Sequence, residues 1–287
     1  MRLHLITSAT VSVPERAVLR GGTWARVALP VRYGIIERAG AGPLLIDTGY
    51  GPRVTGAPGR STLMRAYAAG LPSRPCGGME PAAVLARLGY GPGDVAAVFV
   101  THLHADHIAR LDEFPTARIV TDAAALTATL AAPRWRLARH GIFPELLPAD
   151  ILARVEDIRS GAAQAAPLGL GQGHAVPGWP GLLAIALPGH ARGHWGLCLP
   201  AGAGPGGGAP DKPLLYACDA QWHMGVLRDP ARAPGFPAAR VAEDAAAAAA
   251  TTRRVAAFLR AGGAVALCHD PAPTPWDMPA TPGVGTG

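Results

Sequence analysis

AAVFVTHLHADHIARL, residues 96–111, joins an apolar run to three histidines and an aspartate packed into six positions. The run Val95 to Val100 is short and rich in β-branched and aromatic residues, so it reads as a buried strand that stops at Thr101. His102, His104, Asp106 and His107 therefore fall on the loop leaving a strand end, where a rigid scaffold can present reactive groups. In a nearly extended loop His102 and His104 project the same way and can share one ion, while Asp106 and His107 turn into a following helix and reach a second. The chain has ten histidines in 287 residues, which makes chance clustering a poor explanation. A catalytic zinc ion takes about three protein ligands and keeps one position for water, so two ions require ligands from elsewhere in the chain.

Three later segments offer them. LLAIALPGHARGHWGLCL places His190 after an apolar strand and a Pro-Gly turn, PLLYACDAQWHM ends a strand at Asp219, and GAVALCHDPAP delivers His269 from another. Upstream, GIIERAGAGPLLIDTGYG reads as two strands joined by an Ala-Gly-Ala-Gly turn and closed by Asp47. With these blocks in this order, the chain resembles the metallo-β-lactamase superfamily of dinuclear metallohydrolases from about residue 30 to residue 270. The spacing looks most like the lactonase and organophosphate-hydrolase branch.

The resemblance implies an α/β fold, an αββα four-layer sandwich with two mixed β-sheets flanked by helices and the metals at the mouth between them. It assigns His102, His104 and His190 to one ion, Asp106, His107 and His269 to the other, and Asp219 to a bridge. Asp47 would brace the site from beneath, and His194, four residues after His190, would be structural. Two divalent ions are expected, zinc by preference, with iron, manganese or cobalt also suited to imidazole and carboxylate donors. A hydroxide held between two cations forms near neutral pH and serves as the nucleophile, with Asp106 orienting it and carrying its proton to the leaving group. Two departures bear on substrate: Ala109-Arg110 replaces the usual Gly-Gly, and Trp222 stands where lactonases place a tyrosine on the substrate carbonyl. Trp222 can donate a hydrogen bond but cannot act as an acid. Together with His223 it is a candidate substrate-facing catalytic residue.

The expected reaction is hydrolysis of a small ester or lactone with an apolar portion. The alternatives are glyoxalase-II-like thioester hydrolysis, phosphoester or phosphotriester hydrolysis, nucleic-acid processing, and noncatalytic binding. Net charge +6 and a pI of 9.6 would attract phosphates, yet the basic residues are scattered without runs or aromatic interleaving. The expected partner is thus a small molecule, with no nucleic acid and no membrane, and a homodimer is compatible with the sequence. The N-terminus lacks a signal-peptide pattern, no apolar stretch reaches about 18 residues, and four cysteines without framework spacing suit a cytoplasmic location. Strand alternation should point Cys218 and Cys268 away from the metals.

A chain that is 49% hydrophobic with mean hydropathy +0.19 can bury one core, so residues 1–287 are expected to form a single domain. Strands are predicted near 3–11, 24–38, 43–47, 119–120, 182–187, 195–199, 213–218 and 264–268, and helices near 61–70, 80–88, 122–131 and 239–261. The surplus between His107 and His190 predicts a helical cap insertion at about 130–160. The Gly-Pro-rich stretch 201–210 reads as a mobile hairpin connection, and the tail at 271–287 as flexible.

Overall fold

A computed structural model describes residues 1–203, 211–229 and 231–279. Seven strands in the first half form one mixed sheet: β1 (Arg2–Pro14), β2 (Arg26–Glu37), β3 (Leu44–Ile46), β4 (Ser73–Pro75), β5 (Ala97–Phe99), β6 (Arg118–Thr121) and β7 (Val155–Asp157), in the order β4-β1-β2-β3-β5-β6-β7. Six more form the second: β8 (Ala163–Ala165), β9 (Gln172–Ala175), β10 (Leu183–Ala186), β11 (Trp195–Leu199), β12 (Leu214–Cys218) and β13 (Ala264–Leu267), in the order β13-β12-β11-β10-β9-β8. Strands β3, β5, β6 and β7 run parallel, and the all-buried β5 at their centre is the continuous apolar type such a position requires.

Alternation along β12 reveals the layers. Leu214, Tyr216 and Cys218 face the core shared with the first sheet. Leu215 and Ala217 face the opposite way, onto Val255 and Phe258 of the helix Ala245–Arg260. The order helix, sheet, sheet, helix is the expected αββα sandwich, with the shared core between sheets.

One expected element is divided. The alanine-rich stretch predicts a single helix over 239–261, but the chain forms Phe236–Val241 and then Ala245–Arg260. Asp244 caps the second, accepting from the N–H groups of Ala246 and Ala247 at 3.0 Å each, and an aspartate at that position favours starting a helix over continuing one. The tail also differs from expectation over its first part. Trp276 is buried, its carbonyl accepts from Leu5 N at 2.8 Å, and Met278 N donates to Leu5 O at 2.8 Å. Residues 271–279 are thus fastened against β1, while 280–287 and most of 201–210, the expected mobile connection, lie outside the described residues.

The segment 130–160 sends Leu137, Ile142, Phe143, Leu146, Leu147 and Ile151 into the core. Its corner Ala138–Gly141 instead lines the cavity over the histidine cluster. The segment therefore both packs into the core and walls the pocket.

Asp122 joins the halves. Its Oδ1 caps the helix Ala123–Leu130 through Ala125 N at 2.9 Å, and its Oδ2 accepts from Arg159 at 2.8 Å and from the Trp195 indole of β11 at 3.1 Å. Although burial favours its neutral form, these donors hold its carboxyl below the usual range, so its contribution is present above that range and lost as pH falls through it. Asp122→Ala should lower unfolding free energy by about 2–3 kcal/mol in urea titration at neutral pH; wild-type stability would contradict the clamp.

Candidate metal centre

The cluster is assembled from loops that leave the C-terminal ends of β5, β10, β12 and β13. His102, His104, His107, His190, Asp219 and His269 are all at most 7% exposed, and the Asp106 side chain is 17% exposed at the rim. Imidazole nitrogens of His102, His104 and His190 lie within 4.8 Å of one another. On the other side His269 Nε2 is 3.3 Å from Asp106 Oδ2, and His107 Nε2 is 3.5 Å from the same oxygen. Asp219 stands between the groups: its Oδ2 is 3.4 Å from His190 Nε2 and 3.2 Å from His269 Nε2, and its Oδ1 is 3.6 Å from His107 Nε2. The seven residues read from the sequence as candidate ligands are brought together in one cluster.

Two imidazoles are aimed by one buried carboxylate. Asp47, with a left-handed φ of 57°, accepts at Oδ2 from His107 Nδ1–H at 2.9 Å and from the Thr101 hydroxyl at 2.8 Å, and at Oδ1 from Thr101 N at 2.8 Å. Since the Thr101 hydroxyl donates to Asp47, it accepts from His102 Nδ1–H at 3.0 Å. His269 Nδ1–H donates to Pro30 O at 2.7 Å. These bonds leave Nε2 of His102 and His107 buried with no partner among the described residues. Such atoms are costly unless something satisfies them, and a divalent cation among imidazoles and carboxylates does so. The donor set therefore fits metal ions.

The two halves differ electrostatically. Burial pushes His102 and His190 well below the ordinary imidazole range and His104 down to about 4, leaving neutral rings ready to ligate. Burial also disfavours charge on His107 and His269, but Asp106 and Asp219 outweigh it and hold both well above that range. Negative potential is thus concentrated in the half that shares the carboxylates.

The loop bearing His190 is set by the break in the long helix. Glu243 N and Asp244 N donate to the carbonyls of His190 and Gly189 at 3.2 and 3.0 Å. Gly189, at φ +124°, lies so close to Ala247 and Ala248 that a Cβ would strike their backbone. His194 donates from Nδ1 to Leu187 O at 2.9 Å and packs its ring against His102, a supporting position.

Three expectations need correction. The indole N–H of Trp222 donates to Asp219 Oδ2 at 2.9 Å and so is committed there rather than free for a substrate carbonyl, although its ring does line the cavity. His223 lies outside the site: its Nδ1 accepts from Gly225 N at 2.9 Å and caps the helix Met224–Arg228. Cys218 and Cys268 do not point away. The register shifts between Tyr216 and Cys218, and Cys218 has a left-handed φ of 48°. Cys218 Sγ lies 3.5 Å from Asp219 Oδ1 and 3.7 Å from His107 Nδ1, beneath the imidazoles. Cys268 Sγ also lies within reach of His107, Asp219 and His269, but it donates to Arg32 O at 3.3 Å.

Above the cluster is a cavity of about 510 Å³, walled by Val11, Val13, Val18, Leu29 and Leu71 with His104, Asp106, Asp219 and His269 at its floor. Tyr67, missed from the sequence because nothing marks its helix as near the histidines, also lines it. Its hydroxyl makes no hydrogen bond among the described residues, and it packs over Gly141, whose carbonyl accepts from Ala105 N between His104 and Asp106. A second cavity of about 600 Å³ begins on the other side of Trp222 and Asp219 and runs under the Ala245–Arg260 helix.

Comparison with known proteins agrees with this architecture. The sequence profile of the metallo-beta-lactamase superfamily matches residues 27–203. A "probable metallo-hydrolase" of Mycobacterium bovis is 30% identical over 202 residues, covering 67% of this chain and 57% of that protein, so the match spans little more than half its length. An N-acyl homoserine lactone hydrolase with N-hexanoyl-L-homoserine bound at its catalytic metal centre superposes with a TM-score of 0.64 at 18% identity, over 94% of this chain and 93% of that one. A dizinc quorum-quenching lactonase superposes with a TM-score of 0.61 at 16% identity, over 94% and 88%. At these identities the likeness is one of fold.

Asp47→Ala should weaken metal binding about 10- to 100-fold in chelator-competition titrations, because two imidazoles lose the acceptor that orients them. Unchanged affinity would show that their aim is set elsewhere.

Proposed function

This chain belongs to the metallo-β-lactamase superfamily, and from that premise we propose that it is a metal-dependent hydrolase of a small ester or lactone carrying an apolar portion. The observation that carries the reading is the convergence of seven donors, three with orphaned imidazole nitrogens, at the floor of a largely apolar cavity. His102, His104 and His190 would hold one divalent ion, and Asp106, His107 and His269 the other, with Asp219 shared. Zinc suits this set best, and iron, manganese or cobalt would also serve. Ions bound there supply Lewis acidity and lower the pKa of water.

The chain's own groups do the rest. The apolar wall receives the hydrophobic part of the substrate and excludes bulk water. Asp106, the most exposed of the carboxylates at the floor, accepts the proton of the attacking water and returns it to the leaving alkoxide. The acyl oxygen becomes negative as the carbon turns tetrahedral, and Tyr67 has the free O–H to donate to it. Burial and the charges of Asp106, Tyr50 and Asp219 hold that phenol well above its ordinary range, so it remains a donor at neutral pH. Trp222 keeps Asp219 oriented.

Among the described residues no helix is long and apolar enough to cross a membrane. A cytoplasmic location and a homodimeric state complete the proposal, to be read from cell fractionation and sedimentation.

Elemental analysis of the purified protein, with turnover of lactones, aryl esters, thioesters and phosphotriesters before and after chelation, tests the reading. About two ions per chain and chelator-sensitive ester or lactone turnover are expected; no metal, or turnover indifferent to chelation, would overturn it. Tyr67→Phe should lower kcat on the order of 100-fold with metal content intact. His223→Ala should leave turnover unchanged and cost stability of about 1 kcal/mol or less; a drop in kcat/KM would return His223 to the site.

A further inference from the structure

The segment that presents His269 has no regular structure. β13 ends at Leu267, and the chain then runs irregularly to Asp277. A side chain from the other sheet holds it. Arg32, near the middle of β2, is 3% exposed, and its guanidinium is turned wholly onto this segment. Nε donates to Asp277 Oδ1 at 2.8 Å, and Nη2 to Asp277 Oδ2 and Ala272 O at 3.0 Å each. Nη1 donates to Asp270 O at 2.7 Å, with Leu267 O and Cys268 O at 3.3 and 3.4 Å. The carbonyls so gripped lie on both sides of His269, and the ring itself is bound by Pro30 O, two residues back along the same strand.

The remaining contacts close the frame. Asp270 Oδ1 accepts from Met224 N at 2.8 Å, tying the segment to the turn that follows Asp219. Asp277 Oδ2 accepts from Thr274 N at 2.7 Å, and its neighbours Trp276 and Met278 are bonded to Leu5 of β1. A buried guanidinium is expensive to desolvate, and an apolar residue of similar volume often stabilises a fold as well or better. What an apolar residue cannot do is fix four carbonyls and a carboxylate in one plane, and a lysine lacks the fork to do it.

We propose that Arg32, locked by Asp277, is the positioning residue for His269, so that the half of the metal centre containing Asp106, His107 and His269 is complete only when the segment through Asp277 is seated. This rests on the metal-centre reading above. The other half, His102, His104 and His190, has no hydrogen bond to the clasp among the described residues and should not depend on it.

The test is metal stoichiometry and chelator-competition affinity of the full chain for Arg32→Lys and Asp277→Asn. Arg154→Met is the control for lost stability, because Arg154 grips the carbonyls of Phe114 and Ala117 in the same manner without touching the segment. Both test variants should keep one ion at wild-type affinity and bind the second about tenfold or more weakly, whereas the control keeps both ions at whatever melting temperature it shows. Asp277→Asn retains an acceptor and the same shape, so it keeps the test open if Arg32→Lys does not fold. Two ions at wild-type affinity in the folded variants, or loss of both ions in parallel with the control, would reduce Arg32 to a structural role and overturn the proposal. A wild-type protein that binds no ion would overturn the metal-centre reading, and this proposal with it.

Discussion

A single carboxylate at zero exposure, Asp47, is the constraint from which the site is built. It sits where β3 ends, held in a left-handed backbone by Asp47 N donating to Phe99 O on the neighbouring strand. From there it satisfies Thr101 twice and His107 once, so that the end of one parallel strand dictates the geometry of the loop leaving the next. A buried carboxylate must be fully hydrogen-bonded, and the donors here are the residues that must not move if two imidazoles are to face one place.

The same logic recurs at each strand end in a different form. A register shift in β1 frees Ser8, whose hydroxyl donates to Val31 O and accepts from Tyr50 N, pinning the turn after Asp47. A helix start at Asp244 reaches back to the His190 loop, and a guanidinium from the facing sheet does the corresponding work for His269. His107, the His190 loop and His269 are each held by an element distant in sequence, whereas Asp219 is held by Trp222 in its own turn.

Pocket and centre divide the chemistry. Neutral imidazoles collect in one half and carboxylate charge in the other, with Asp219 common to both, so each half of the centre offers a different welcome to a cation. The cavity above is walled mainly by apolar side chains, with Arg139, His140 and Arg240 also on its lining and Tyr67 beside the cluster at its floor. Trp222 stands at the junction of the two cavities with its only polar atom already bonded, so its part is to shape the space and hold Asp219.

Sequence by itself determined the fold class and picked out the seven residues that converge in the cluster, because both are local signals: apolar runs of strand length, each ended by a histidine or aspartate, in a recognisable order. It could not place Cys218 and Cys268 beside the cluster, because Cys218 keeps the alternation of β12 and it is the register shift against β13 and the left-handed residue at the strand end that leave Asp219 on the same side. It could not separate Trp222 from His223 either, since which of two adjacent side chains meets Asp219 depends on where a five-residue helix begins. Nor could it show Tyr67 over the cluster or Arg32 clasping Asp277, partners 245 positions apart. Which residues could bind metal is written in residue type and spacing; what aims them, and what faces the substrate, is decided by contacts between distant segments that form only when the two sheets close on a common core.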